Sequence, residues 1–179
     1  MEASDFILIL LGSKSQGIDG RTAVQKLGYF ATVKLKKSLG YEADFYGPYS
    51  TIVAANLQNL VESDFVTEKQ HVTSRYRKMY SYTLTDEAVS LSKGLRKAYP
   101  KETRIIGNVV KKCDKIAKCD YNVLSWAAKV HFILEKTRKA MTYQEAITAS
   151  NKFGWKLSEE QIASGAKLLR ELKLIAKEN

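Results

Sequence analysis

Proline is nearly missing from this chain, with two among 179 residues, and cysteine and histidine are as scarce, with two each. So little proline leaves long helices uninterrupted. Two cysteines cannot build the disulfide framework of a small secreted domain, and their scarcity suits a reducing cytoplasm. Cys113 and Cys119 fall six apart on one expected helix, about 240° apart around it, which excludes a bridge within that helix. Long apolar runs are lacking too. The longest, Phe6 to Leu11, has six residues, against the ~20 that a bilayer span requires. It follows Glu2 and Asp5 rather than basic residues, so neither a signal peptide nor a membrane association is expected.

Catalytic patterns are equally sparse. His71 and His131 stand in no metal or nucleophile motif and are read as structural, so no metal or other cofactor is expected. Gly12 and Gly17 have the outer spacing of a phosphate loop, but Ile18-Asp19 follow where Lys-Ser/Thr is required. The carboxylates are scattered among lysines, and no pair stands out as general acid and base. No catalytic residue is assigned, and the chain is not expected to be an enzyme.

Positive charge is what the chain has in excess: 29 Lys and Arg against 19 Asp and Glu, a formal +10. Distributed lysines and arginines replace counterions on phosphates, so a polyanionic partner is favoured. Pro100 is the best boundary. Thirteen basic and ten acidic residues precede it, sixteen and nine follow it, and the second part is the more basic.

Periodicity predicts a helix over residues 4–13 and a second from Asp19 or Gly20, with Val24, Leu27, Ala31 and Leu35 on one face and Gly40 closing it. Tyr41 to Phe45 reads as extended, and Pro48 keeps Gly47 out of helix. Ser50 is the expected N-cap of a third helix reaching Glu62, with Val53, Leu57, Leu60 and Val61 inward and Thr51, Asn56, Gln58, Asn59 and Glu62 outward. From Phe65 the period shifts towards two. A hairpin pairs residues 66–72 with Tyr80, Tyr82 and Leu84, its polar tip running from Thr73 to Lys78. Thr85 caps the next helix, with Asp86 and Glu87 in its first turn. After Pro100 helices are expected over 101–118 and 122–138, and capping boxes at Thr142…Glu145 and Ser158…Gln161 start two more. A faint echo links Leu60 to Val66 with Leu169 to Ile175, as if the C-terminal part held a second, wingless helix-turn-helix.

Lys26-Leu27 with Tyr29-Phe30, then Tyr46-Gly47-Pro48-Tyr49-Ser50 and the Tyr82-Thr83-Leu84-Thr85 junction, resemble prokaryotic winged helix-turn-helix proteins. The likeness is greatest to the YwgA-like group and more distant to MarR- and PadR-type regulators, and the "KL…YF…YGPYS" arrangement is also similar to a domain common among antitoxins. It covers mainly residues 4–98. It implies a third helix laid in a groove and a hairpin wing on the backbone, and supplies no ligand or catalytic residue. The expected fold is mainly α with a small β-hairpin: a winged helix-turn-helix domain over 1–99 and a helical C-terminal region over 100–179.

The expected function is double-stranded DNA binding by a cytoplasmic transcriptional regulator, dimeric through its terminal helices. The wing tip Arg75-Tyr76-Arg77-Lys78 carries the main expectation, since guanidinium groups grip phosphates and an interleaved tyrosine stacks or donates. The third helix has no Lys or Arg, so it lacks the commonest contact to guanine. Asn56 can pair with adenine, and Tyr49, Ser50 and Thr51 can meet a phosphate at the helix N-terminus. Lys36 and Lys37, with Lys34, end the second helix, where both dipole compensation and phosphate contact are open. Lys111, Lys112, Lys115 and Lys118 are spaced so that three or four of them share one side of a later helix, either as a solvated face or as a second phosphate-tracking surface. Gly47-Pro48-Tyr49 reads as a rigid turn, and Trp126 and Trp155 as core or interface. The absence of basic residues from the third helix favours an alternative, a protein-interaction module using the same fold. RNA binding would follow if the C-terminal helices carried the affinity.

Overall fold

The computed structural model describes residues 1–72 and 78–176. The chain is mainly α-helical with a small antiparallel sheet. Its elements are α1 (Ala3–Leu11), β1 (Ile18–Asp19), α2 (Arg21–Leu35), β2 (Tyr41–Glu42), β3 (Tyr49–Ser50), α3 (Thr51–Glu62), β4 (Val66–Val72), β5 (Lys78–Leu84), α4 (Asp86–Ala98), α5 (Pro100–Ala117), α6 (Tyr121–Thr137), α7 (Tyr143–Lys152) and α8 (Glu159–Glu171). The expected elements are all present, and the three short strands β1, β2 and β3 complete them.

The apolar run that is too short for a membrane is the centre of the core. Phe6 to Leu11 are all buried in α1, which packs on α3, α4 and α5. The core continues through Val24, Leu27 and Phe30 of α2, Val53 and Leu57 of α3, Ile106 and Val110 of α5, Leu124 and Ala128 of α6, to Leu168 and Leu172. The segments before and after Pro100 thus share one hydrophobic core. Pro100 opens α5, where its missing N–H costs no intrahelical bond.

The sheet runs β1-β5-β4, with Ile18 opposite Tyr82 and Val66 opposite Leu84. Gly17 makes the close approach of β1 possible: at φ 81°, an added Cβ would stand 2.5 Å from the Thr83 side chain and 2.6 Å from the Tyr82 carbonyl. A Cβ at Gly165 would likewise lie 2.9 Å from the Ala127 backbone nitrogen, so this glycine sets the spacing of α8 on α6.

Caps follow the sequence closely. Ser50 accepts from Val53 N–H, Thr85 from Ala88 N–H, and both expected capping boxes form. Two helix endings differ from expectation. Gly40 does not close α2: Lys36 does, in the left-handed region at φ 53°, with Lys37 N–H donating to Thr32 and Lys36 N–H to Val33. A lysine tolerates that conformation here because the paired bonds satisfy the last carbonyls of the helix. Cys113 and Cys119 do not share a helix either. α5 ends at Ala117, Lys118 and Cys119 are both left-handed, and Cys119 N–H folds back onto the Cys113 carbonyl. Both thiols are free and buried. The echo between residues 60–66 and 169–175 has a local cause: Asp64 and Lys173 both have positive φ, and Phe65 N–H to Leu60 repeats as Leu174 N–H to Leu169.

Candidate functional site

The third helix and the hairpin are both anchored on α2. Gln25 is buried, and its side chain spans the backbone of Ser50, donating to the carbonyl at 2.9 Å and accepting the N–H at 3.0 Å. The next residue, Lys26, is 1% exposed and donates to the Pro48 carbonyl at 2.7 Å. Burial drives its pKa down to about 7, with Lys129 pushing the same way and Asp44 opposing. These bonds fix the start of α3. Ser50 itself is fully buried, its hydroxyl accepting from Val53 and donating to the Leu39 carbonyl, so it serves the helix end from within the core.

At the start of α2, Arg21 ties down the hairpin. Its Nε donates to the Tyr82 hydroxyl at 2.7 Å and its Nη2 to Glu68 at 3.0 Å, while the Tyr82 hydroxyl donates to the same carboxylate. Its guanidinium carbon also lies 4.9 Å from the Tyr80 ring centre. Burial opposes ionisation of Glu68, but the bonds from Tyr82 and Arg21 outweigh it and hold the carboxyl below its usual range. Tyr82 is pushed upward, first by burial and then by Glu68. A cleft of about 250 Å³ is lined by Arg21 of α2, Ala54, Leu57 and Val61 of α3, Glu68 of β4 and Tyr82 of β5.

The residues singled out in the sequence fall into three places. Tyr49 and Thr51 are exposed at the start of α3, and Asn56, half-buried one turn on, turns its amide to the Ile52 carbonyl at 2.9 Å. Lys78 is exposed at the start of β5, whereas Arg75, Tyr76 and Arg77 lie outside the described residues. Lys36 and Lys37 are exposed at the far end of α2. Leu35 lies fourteen positions after Arg21, about 20 Å of helix, so these two lysines stand well apart from the end that holds the hairpin. His131 is buried with its Nδ1 2.8 Å from the Tyr29 hydroxyl, while His71 is exposed on β4.

Sequence reasoning missed a run of exposed apolar side chains between residues 45 and 52. Phe45 is 76% exposed, Tyr46 53% and Ile52 44%, with Tyr49 between them; the Phe45 and Tyr46 rings meet edge to face at 4.9 Å. The loop bearing them is held at both ends, by Lys26 on the Pro48 carbonyl and by the Trp155 indole N–H on the Asp44 carbonyl at 2.7 Å. The available signal was the run Phe45-Tyr46 inside a turn, where large aromatics are unusual.

Among the described residues, no group of three or more His, Cys, Asp or Glu could hold a metal ion, and no helix is long and apolar enough to cross a membrane. In comparisons with known proteins, no family model matches the chain and no curated protein is significantly similar to it.

Proposed function

We propose that the protein is a prokaryotic, cytoplasmic transcriptional regulator that binds double-stranded DNA through a winged helix-turn-helix, pairing as a dimer to engage two half-sites. The tie between Arg21, Glu68 and Tyr82 carries this reading, because it fixes the hairpin against the helix pair α2–α3. A helix and a hairpin set side by side meet a groove and its flanking backbone at once. The strand order β1-β5-β4 beside α2 and α3 and the +10 charge support it. With no basic side chain on α3, base contacts fall to amides such as Asn56, Gln58 and Asn59, and affinity to the basic hairpin tip. Replacing Arg75, Arg77 and Lys78 by Ala is expected to weaken binding across sequences and to lower the salt slope by up to about 0.9 per lost phosphate contact. Unchanged salt dependence would overturn the assignment of the tip.

A second reading rests on the surface of Phe45, Tyr46, Tyr49 and Ile52: a protein-interaction module that presents anchored aromatics to a partner, as hot-spot residues do. Selection from random duplex DNA at physiological salt discriminates the two. An enriched palindrome supports the regulator. No enrichment, together with a co-purifying protein that is lost on Phe45→Ser and Tyr46→Ser, supports the module.

A further inference from the structure

We propose that Lys34, Lys112 and Lys173 form a phosphate-binding centre at the C-terminal end of α8, separate from the helix and hairpin surface. The three come from α2, α5 and the turn after α8. Lys34 Nζ donates to the Lys173 carbonyl at 3.2 Å, and Lys112 Nζ donates to the carbonyl of Glu171, two residues earlier. Two ammonium groups therefore converge on one helix end, drawn by its free carbonyls and the negative end of its dipole. The third lysine is Lys173 itself, exposed in the turn whose carbonyl Lys34 meets.

That helix end explains the convergence but does not balance it. A dipole supplies about half an elementary charge, against three ammonium groups. The ion pairs among the described residues are Lys14 with Asp114, Arg21 with Glu68, and Lys139 with Glu145; none involves this trio. Glu171, the last residue of α8, is the one acid among the described residues 171–176. Burial, and then the like charges of Lys112 and Lys173, hold the Lys34 ammonium below the ordinary lysine range. Each ammonium carries three donors, and the carbonyls occupy one each on Lys34 and Lys112. A phosphate has the charge and the acceptor oxygens to answer what remains. Free phosphate and a nucleic-acid backbone share that chemistry.

The centre is tested by lysine acetylation followed by mass spectrometry on the full chain, with inorganic phosphate and with a random-sequence duplex as separate probes. Several-fold protection of Lys112 and Lys173 by phosphate alone identifies a free anion as the source; protection by the duplex alone identifies the backbone; protection by both supports a general phosphate site. Protection by neither overturns the proposal. Lys112→Gln removes a helix-end contact as well as a charge, so Lys173→Gln is the second variant, because its exposed side chain can be changed while the carbonyl that Lys34 uses remains. It is expected to weaken phosphate-dependent protection of Lys112, with recovery in Lys173→Arg. If the hairpin-tip variant abolishes duplex binding while phosphate still protects Lys112, the two sites are independent. If the tip variant leaves duplex binding intact and Lys173→Gln lowers its salt slope, the hairpin reading falls and the lysine centre stands.

Discussion

In the first two turns of α2, Arg21, Gln25 and Lys26 each reach a fixed partner in another element: the hairpin, the Ser50 backbone and the Pro48 carbonyl. In its last turn and beyond, Lys34 leans on a helix end, while Lys36 and Lys37 stand in solvent. One helix thus carries polar side chains of two kinds. Those at the start are spent on holding α3 and the hairpin in place, and those at the end keep donors to spare. Polar residues are recruited into structure where they meet backbone groups that burial would otherwise leave unsatisfied. They stay available where the neighbouring surface is wet.

This contrast can be broken by substitution, and the largest effect is expected at Lys26. A lysine whose folded pKa lies near 7, against about 10.4 when unfolded, binds fewer protons folded than unfolded between those values. Stability should therefore rise with pH from about 7 to about 10, by an amount on the order of 4 kcal/mol. Urea unfolding of the wild type and of Lys26→Met across that range checks this, since the difference between them isolates Lys26 from other groups titrating there. Parallel curves would mean that the amine stays charged when buried.

Gln25→Ala should follow. It strands the Ser50 N–H and carbonyl, at about 1–3 kcal/mol for each buried group left unpaired, and denaturant midpoints should fall accordingly. Gly165→Ala tests the opposite part of the molecule. Its Cβ would press on the Ala127 backbone, so a loss of about 1–3 kcal/mol is expected from overpacking between α6 and α8. Acetylation of Lys112 should rise with it if the end of α8 is displaced.

The smallest effect is expected at the hairpin tie. Arg21→Ala should cost about 1 kcal/mol or less, because its guanidinium is largely exposed and screened by solvent. Glu68 adds a pH signature. Its carboxyl is held below the usual range, so its contribution is present above the unfolded pKa and lost as acid titrates it through the lower folded value. Glu68→Gln should remove that acid-side loss, and a profile indistinguishable from wild type would show the tie to be weak.

Much of the local structure was legible. Ser50 and Thr85 were readable as caps because a hydroxyl before an apolar-periodic run satisfies helix N–H groups wherever it occurs, and residues 66–84 as a hairpin because their period changes to two. Helix endings were harder: Lys36, Lys118 and Cys119 adopt left-handed conformations that sequence favours only for glycine and asparagine. Of the candidate site, Tyr49, Thr51 and Lys78 could be picked out as exposed polar or aromatic positions. Gln25 and Lys26 could not, since a buried amide and a buried ammonium look like ordinary surface residues until the chain that satisfies them is in place.

By itself the sequence determined the helices, their caps, the hairpin and the excess of positive charge, all of which depend on residues within a few positions of one another. Only the tertiary structure decided that Ser50 lies in the core, that Phe45 and Tyr46 are held outward, and that Lys34 of α2 and Lys112 of α5 both reach carbonyls at the end of α8. Those outcomes join residues up to 139 positions apart. They follow from which backbone groups packing leaves to be satisfied.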